Sequence, residues 1–177
     1  VLLEGFARLC DRAANLHSGV TGMTSANGLM AGKRGLIMGL ANNRSIAWGI
    51  AKSLADQGAE IALTYQGDAL KKRVEPLAAE LGGIVVGHCD VSDKTTIDAV
   101  FETLKEKWGK IDFLVHAIGY SNKDELTGRY VETSRDNFLM TMDISVYSFT
   151  AVAKAAEPLM TVGGSMPLGR MLRVRST

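Results

Sequence analysis

The sequence has few of the residues on which disulfide, metal or membrane frameworks depend. Only two of its 177 residues are cysteine, Cys10 and Cys89, and their wide separation argues against a disulfide scaffold. The three histidines, His17, His88 and His116, share no metal-ligand spacing, so we expect no metal site. No run approaches 18 uncharged apolar residues, and we therefore expect no transmembrane helix.

An excess of charge of one sign is also missing. Twenty Lys and Arg residues face 19 Asp and Glu residues, which leaves a formal net charge of +1. This balance argues against a nucleic-acid partner that is bound by bulk electrostatics. The first residues lack a basic start followed by an apolar run, so they are not a secretory signal and cytoplasm is the expected location.

Glycine, in contrast, is abundant. It accounts for 19 of 177 residues, and a usual share is roughly 7%. With only three prolines and mixed charges, this excess predicts tight turns and close backbone approach rather than disorder. Gly58, Gly82 and Gly109 stand just past three predicted helix ends, where a left-handed residue is common.

From residue 35 onward, apolar runs of strand length alternate with segments of helical period. The runs are nearly continuous, which is typical of strands covered on both faces, and they span 35–40, 60–65, 84–89 and 112–118. The helical segments span 45–58, 67–81 and 92–109, followed by a fourth from about Ser134 to Met160. We expect Ser92 to cap the third helix. This alternation predicts an α/β fold with a doubly wound parallel sheet, and no fixed repeat period favours a repeat protein instead.

The loop after the first predicted strand, GLANNRSIAWG, could hold phosphate. A nucleotide pyrophosphate can bind the free N–H groups of the helix that follows a first parallel strand. Gly39 would let the backbone approach a ligand, and Asn42 with Asn43 would turn the chain. Ser45 would cap the helix, and Gly49 would allow close helix–strand packing. The usual GxGxxG spacing is absent, so a plain turn without a ligand stays open on loop chemistry alone.

Three further strand ends would meet this loop at the same edge of the sheet. Gln66 follows the second strand, and its amide can donate to and accept from ribose hydroxyls, which leaves NADH and NADPH both open. Asp90 follows the third strand and could accept from an adenine amino group, or simply belong to the start of the next helix. Residues 116–120, HAIGY, follow the fourth strand and are small enough to lie against a sugar or nicotinamide. Their convergence in one crevice predicts a dinucleotide site.

These segments resemble a known family. The run AGKRGLIMGLANNRSIAWGIAKSLADQGAEIALTYQGD, with CDVSD, DFLVHAIGYSNKDELTGRYVETSRDNF and DISVYSFTAVAKAAEPLM, resembles bacterial NADH-dependent enoyl-acyl-carrier-protein reductase. This is a divergent, Rossmann-like branch of the short-chain dehydrogenase/reductase group. The G-x5-S-I loop, TYQ and HAIGY are specific to the branch, whereas generic members show TGxxxGxG and NAG. The resemblance runs from Met23 or Leu29 to Ser165, roughly four-fifths of the chain.

The resemblance implies NAD as cofactor and assigns a role to nine residues. They are Gly39, Ser45 and Ile46 at the pyrophosphate, Gln66 at the adenosine ribose, Asp90 and Val91 at adenine, Ile118 and Gly119 at the nicotinamide ribose, and Ser121 at the acyl substrate. The implied reaction transfers a hydride from NADH to the β-carbon of a trans-2-enoyl thioester on acyl carrier protein, in fatty acid synthesis. Such chemistry needs a hydrogen-bond donor at the thioester carbonyl.

In the family a tyrosine is that donor, and a lysine seven residues later also binds the cofactor. Tyr147 and Lys154 have this spacing, but we interpret them as a structural tyrosine and a surface lysine. Their segment corresponds to the family's helix before the fifth strand, whereas its catalytic pair follows that strand. We expect the fifth strand after Gly163-Gly164-Ser165, and we assign no catalytic residue.

The sequence therefore divides into three predicted parts. Residues 1–22 are an extension foreign to the family, 23–166 a partial dinucleotide-binding domain truncated after the fourth or fifth strand, and 167–177 a divergent basic tail. Our hypothesis is a truncated product that is inactive alone. The resemblance implies a homotetramer for the family, and the later elements that this assembly also uses lie outside the resemblance. Two alternatives stand beside full reductase activity. One is another short-chain reductase acting on ketones, against which TYQ and the G-x5-S-I loop argue. The other is a catalytically silent nucleotide-binding fragment, which we favour for this chain.

Overall fold

Five parallel strands form one sheet within residues 28–168, which are the residues that the computed structural model describes. The strands are β1 Arg34–Met38, β2 Glu60–Tyr65, β3 Ile84–His88, β4 Ile111–His116 and β5 Met160–Ser165. Their order across the sheet is β3-β2-β1-β4-β5, with every neighbouring pair parallel. The predicted doubly wound α/β fold is confirmed. The predicted extension 1–22 and most of the predicted tail lie outside the described residues.

Helices cover both faces of this sheet. Their bounds are α1 Ile46–Asp56, α2 Gly67–Glu80, α3 Lys94–Trp108, α4 Arg135–Met142 and α5 Ser148–Ala156, with a π-helical turn, Asp143–Tyr147, between α4 and α5. Leu36 packs with α3 and α5 on one face, whereas its neighbour Ile37 packs with α1 and α2 on the other. Because successive strand residues point to opposite faces, both must be apolar. None of these described helices is sufficiently long and apolar to cross a bilayer.

A glycine in β1 makes room for an aromatic ring from β4. Gly35 pairs in register with Phe113. A Cβ atom built on Gly35 would lie 2.0 Å from the ring of Phe113, which is far inside contact distance. The ring is buried among the residues of the α1 and α2 face. It therefore fills the volume that a side chain at position 35 would need.

Some of the helix ends predicted from the sequence are confirmed, and one predicted helix cap is not. The predicted stops are confirmed, since φ is positive at Gly58, Gly82 and Gly109. The predicted cap of α3 was wrong. Asp93 is the N-cap, and its side chain accepts from the Thr95 N–H at 2.8 Å. Ser92 instead donates both its N–H and its hydroxyl to the carboxylate of Asp90, so its side chain is directed away from the helix.

The last predicted helix and strand also need correction. Helical structure begins at Arg135 as expected, but it contains the π turn, and α5 ends at Ala156. The fifth strand, predicted to follow Ser165, instead spans Met160–Ser165 and begins at the last residue of the predicted helical segment. Pro158 lacks an N–H and restricts the residue before it, so regular helix stops there. The β-branched Thr161 and Val162 that follow favour a strand.

Candidate functional site

A cleft of about 450 Å³ opens at the carboxyl ends of the first four strands. The strand order reverses direction between β1 and β4, and ligands of doubly wound folds bind at such a switch point. The lining residues are Gly39, Leu40 and Ala41 after β1; Thr64, Tyr65 and Gln66 at β2, with Leu70 of α2; Cys89, Asp90 and Val91 after β3; Ala117, Ile118, Gly119 and Tyr120 after β4; and Ile144 of the π turn.

Most of the residues predicted for the site line this cleft. Six of them do so: Gly39, Gln66, Asp90, Val91, Ile118 and Gly119. Ser45 and Ile46 do not; they lie at the amino end of α1, four and five residues beyond the last lining residue of that loop, Ala41. Ser121 follows the lining residue Tyr120 and is not itself part of the wall. The ligand contacts assigned to all nine residues stay predictions.

The loop after β1 depends on Gly39. Its φ is +90°, and a Cβ atom there would lie 2.1 Å from the carbonyl oxygen of Ala117. The predicted close approach is thus present, between this loop and the one after β4. Ser45 stands at the N-cap position, but its hydroxyl donates to the Asn42 carbonyl at 2.6 Å, so the predicted side-chain cap was wrong. Gly49 is exposed, and no atom lies within 4 Å of the place that a Cβ atom would take there. Its predicted role in close helix–strand packing was therefore wrong too.

Two polar side chains meet at the β2 and β3 end of the cleft. The Gln66 amide nitrogen donates to Asp90 Oδ2 at 2.9 Å, while Ser92 donates to Oδ1 through its hydroxyl at 2.6 Å and its N–H at 3.0 Å. These bonds, with that of the Ser92 hydroxyl foremost, hold the pKa of Asp90 below its usual range. Asp90 is therefore ionised at neutral pH. Among the described residues that line the cleft, none is Lys or Arg.

Apolar side chains outside the predicted set of site residues complete the wall. The Cys89 thiol is buried, and burial raises its pKa to about 11, so it is protonated and packs as a small apolar group. Leu70 stands four residues after Gln66 on the first turn of α2, a helical spacing that could have identified it. Ile144 comes from a segment more than 20 residues beyond the β4 loop, and no local signal indicated it.

Hydrogen bonds tie the loop after β4 to the long helical segment. Ser145 Oγ accepts from the Tyr120 N–H at 3.0 Å and lies 3.2 Å from the Tyr120 carbonyl oxygen, to which it donates. The hydroxyl of Ser121 lies 3.1 Å from that of Thr141 and 3.3 Å from the amide nitrogen of Asn137. Ser121 thus contacts internal partners beside the cleft. The hydrogen bonds of Ser121 and Ser145 hold the loop after β4 against α4 and the π turn.

A buried histidine lies behind this end of the cleft. His116, the last residue of β4, is fully buried, and its Nε2 lies 2.8 Å from the hydroxyl of Ser148. That hydroxyl donates to the Ile144 carbonyl at 2.6 Å. Burial lowers the pKa of His116, so the ring is neutral near pH 7. The other ring nitrogen, Nδ1, is buried and has no partner among the described residues.

The pair with the family's Tyr-to-Lys spacing lies outside the cleft. Tyr147 is the last residue of the π turn and is 63% exposed, and Lys154 is exposed on α5. Neither contributes to the cleft wall, which agrees with their interpretation as structural and surface residues. Within residues 28–168, no group of three or more His, Cys, Asp and Glu side chains is placed to hold a metal ion.

Comparison with known proteins places this geometry among reductases. A family model described as enoyl-(acyl carrier protein) reductase matches residues 39–171. An enoyl-[acyl-carrier-protein] reductase [NADH] of Rhizobium meliloti is 74% identical over 144 residues, which are 81% of this chain and 53% of that protein. A relative of the same description from Bacillus subtilis is 46% identical over 139 residues, 77% of this chain and 54% of its own length. The chain thus spans about half the length of the curated relatives it matches.

Solved structures show the same likeness. The reductase of Anaplasma phagocytophilum, in complex with NAD, superposes with a TM-score of 0.76 at 55% identity, over 84% of this chain and 55% of that one. The Bacillus cereus reductase, in complex with NADP⁺ and an indole naphthyridinone, gives a TM-score of 0.76 at 44% identity, over 80% of this chain and 56% of its own.

Proposed function

The chain belongs to the enoyl-acyl-carrier-protein reductase family, and we propose that it binds NADH as the cofactor-binding region of an enzyme that reduces enoyl thioesters on acyl carrier protein. The observation that supports this most is the cleft at the switch point of the sheet, with six of the nine predicted site residues in its wall. The comparisons support the reaction class, since the curated relatives are described as NADH-dependent reductases.

The cleft fits the parts of a dinucleotide in order. The adenosine end lies at Gln66 and Asp90, because the amide and the carboxylate can bond ribose hydroxyls and an adenine amino group. The pyrophosphate lies at the amino end of α1, where Ser45 and the exposed Ile46 begin the helix and its dipole favours an anion. The nicotinamide ribose lies along Gly119 and its neighbour in the β4 loop.

When bound, NADH supplies the hydride for the β-carbon of the enoyl thioester. The residues of this chain orient the cofactor and keep water from it. Ile118 and Ile144 form an apolar wall at the nicotinamide end, and Val91 does so at the adenine end. An apolar wall of this kind lets a few polar groups set the orientation of a ligand. Ser121 lies next to this end, where the acyl substrate would enter.

The cleft should prefer NADH to NADPH. A 2′-phosphate at the adenosine ribose would face the ionised Asp90, and no cation lines the cleft in the described part of the chain to offset that repulsion. We expect NADPH to bind at least about tenfold more weakly, a difference of about 1.4 kcal/mol. Fluorescence titration of the full chain with each nucleotide measures this preference.

A matched pair of variants tests the cause. Asp90→Asn removes the charge at the cleft and should narrow the preference for NADH. Asp98→Asn makes the same chemical change on the outer side of α3, where Asp98 pairs with Lys94, and should leave the preference unchanged. Equal affinity of the wild-type chain for both nucleotides would contradict the assignment of the adenosine end. Failure to bind either nucleotide would contradict the proposed function itself.

Nucleotide binding without turnover is the second function that we propose for this chain on its own. The supporting observation is the exposure of Tyr147 and Lys154 outside the cleft. Tyr65 and Tyr120 do line it, but no lysine joins them there within the described residues. Purified chain should bind NADH and yet show no NADH oxidation when an enoyl thioester is added. Turnover that Tyr147→Phe abolishes would reverse our interpretation of this residue.

A further inference from the structure

The cleft wall at the nicotinamide end is built by an irregular helical turn. Between α4 and α5, residues Asp143–Tyr147 form a π turn, and the Ser148 N–H donates to the Asp143 carbonyl five residues earlier. One extra residue in a helical turn shifts the direction in which the following side chains point, and such turns occur often at functional sites. Here the turn contains Ile144, which lines the cleft, and Ser145, which binds Tyr120.

The hydrogen bonds behind the turn have one consistent direction. Ser148 has a single hydroxyl proton, and its short bond to the Ile144 carbonyl uses that proton. The hydroxyl oxygen must therefore accept from His116, which places the ring proton on Nε2. The imidazole is neutral, Nε2 is the donor, and Nδ1 is a buried acceptor with no partner among residues 28–168.

A buried imidazole at this position stabilises the fold less than an apolar side chain of similar size would. A buried acceptor that lacks a partner is unfavourable, and a phenylalanine could fill a similar volume without that penalty. What the imidazole adds is the bond from the end of β4 to the start of α5. That bond joins two segments on which the cleft depends, because β4 leads directly into the loop 117–120, and Ser148 follows the π turn.

We propose that His116 is a positioning residue for the nicotinamide end of the cleft. Through Ser148 it holds the π turn in register, so that Ile144 faces the cofactor and Ser145 brackets the backbone of Tyr120. His116 is not part of the cleft wall and touches no reacting atom. The proposal rests on the proposed NADH binding, and its test separates the two.

Two substitutions of His116 differ in whether the new side chain can donate a hydrogen bond to Ser148. His116→Phe keeps a ring but removes the donor, and NADH affinity should fall by about three- to tenfold, as expected for one lost hydrogen bond. His116→Gln offers an amide N–H to Ser148 and should recover affinity to within about twofold of wild type. Phe149→Leu is the packing control, because the ring of Phe149 meets that of His116 edge-on at 5.7 Å without a hydrogen bond.

The Tyr120 amide resonance reports on the same geometry without cofactor. It should move in His116→Phe and in Ser148→Ala, and stay near its wild-type position in His116→Gln and Phe149→Leu. The His116 ring should show the Nε2–H tautomer in ¹⁵N spectra at pH 7, with the exposed His88 as the reference in the same sample.

Each outcome decides something. If the wild-type chain binds no NADH while the Tyr120 resonance follows this pattern, the proposed function fails and the positioning role stands. If NADH binds with wild-type affinity to His116→Phe and Tyr120 does not move, the positioning role is refuted. An equal loss of affinity in Phe149→Leu and His116→Phe, at equal loss of thermal stability, also refutes it.

Discussion

Gly39 should tolerate substitution least among the small residues of the cleft, and the Gly39→Ala variant tests the reason. Its φ of +90° is strained for any residue with a Cβ atom, and that atom would lie 2.1 Å from the Ala117 carbonyl oxygen. The backbone strain alone costs about 1–3 kcal/mol. The overlap adds to it, because the atom in the way belongs to backbone that is part of the cleft wall. We expect Gly39→Ala to lower the free energy of unfolding by about 2–4 kcal/mol.

The magnitude can be read from urea unfolding followed by tryptophan fluorescence. Trp48 is a suitable probe, because it is buried on α1, nine residues after the substitution. The control is Gly49→Ala, the same chemical change at an exposed helical position with nothing within 4 Å of the added atom. Alanine is the better helix former, so this variant should gain about 0.5–1 kcal/mol.

The two variants should therefore move in opposite directions. NADH affinity should fall in Gly39→Ala, since the loops after β1 and β4 must separate to admit the methyl group. Gly49→Ala should bind NADH as the wild type does. If Gly39→Ala unfolds at the wild-type midpoint with an unchanged denaturant slope, the close approach of the two loops is not a constraint, and our account of this glycine is refuted.

Three further outcomes follow from single residues. Burial holds the pKa of His116 below its ordinary value of 6.5, so acid favours the unfolded chain. The free energy of unfolding should therefore decline as the pH falls below 6.5, and it should decline less in His116→Gln. Urea titrations at several pH values measure both slopes. Asp112 accepts from Lys33 at 3.1 Å and from the Thr161 hydroxyl at 3.2 Å; Asp112→Ala should lose about 1–3 kcal/mol at pH 7. The N–H of Arg34, which donates to Asp112 at 2.9 Å, and these two side chains hold the pKa of Asp112 below its ordinary value, so that difference should shrink in urea titrations below about pH 4. Val162 is fully exposed on β5, the outermost strand on that side of the sheet within residues 28–168, and Val162→Lys should reduce self-association in sedimentation while it changes stability by less than about 0.5 kcal/mol.

The central part of the fold could be predicted because its strands are buried on both faces. Leu36 and Ile37 are neighbours that pack on opposite sides of the sheet, and this is what makes a strand appear as an unbroken apolar run. The same logic located the cleft, since the residues after four such runs must meet at one edge. Gln66 and Asp90 were found in this way, and they are hydrogen-bonded to each other.

What the sequence did not reveal depends on longer-range geometry. The π turn has no signature in the residues that form it, so neither Ile144 nor the bond between His116 and Ser148 could be anticipated. The fifth strand begins earlier than predicted, because only the short turn Glu157–Leu159 separates the end of α5 from Met160, too few residues for the sequence to mark the boundary. The choice between Ser92 and Asp93 as helix cap turned on Asp90, whose carboxylate occupies both donors of Ser92.

Gly35 and Phe113 have a consequence for the evolution of this sheet. Since the aromatic ring occupies the place of the missing side chain, the two positions share one volume between neighbouring strands. Either can change only if the other compensates, so that a larger residue at 35 requires a smaller one at 113. Among related sequences, the sizes of these two side chains should therefore vary inversely, and substitutions that are tolerated together should be harmful when introduced one at a time.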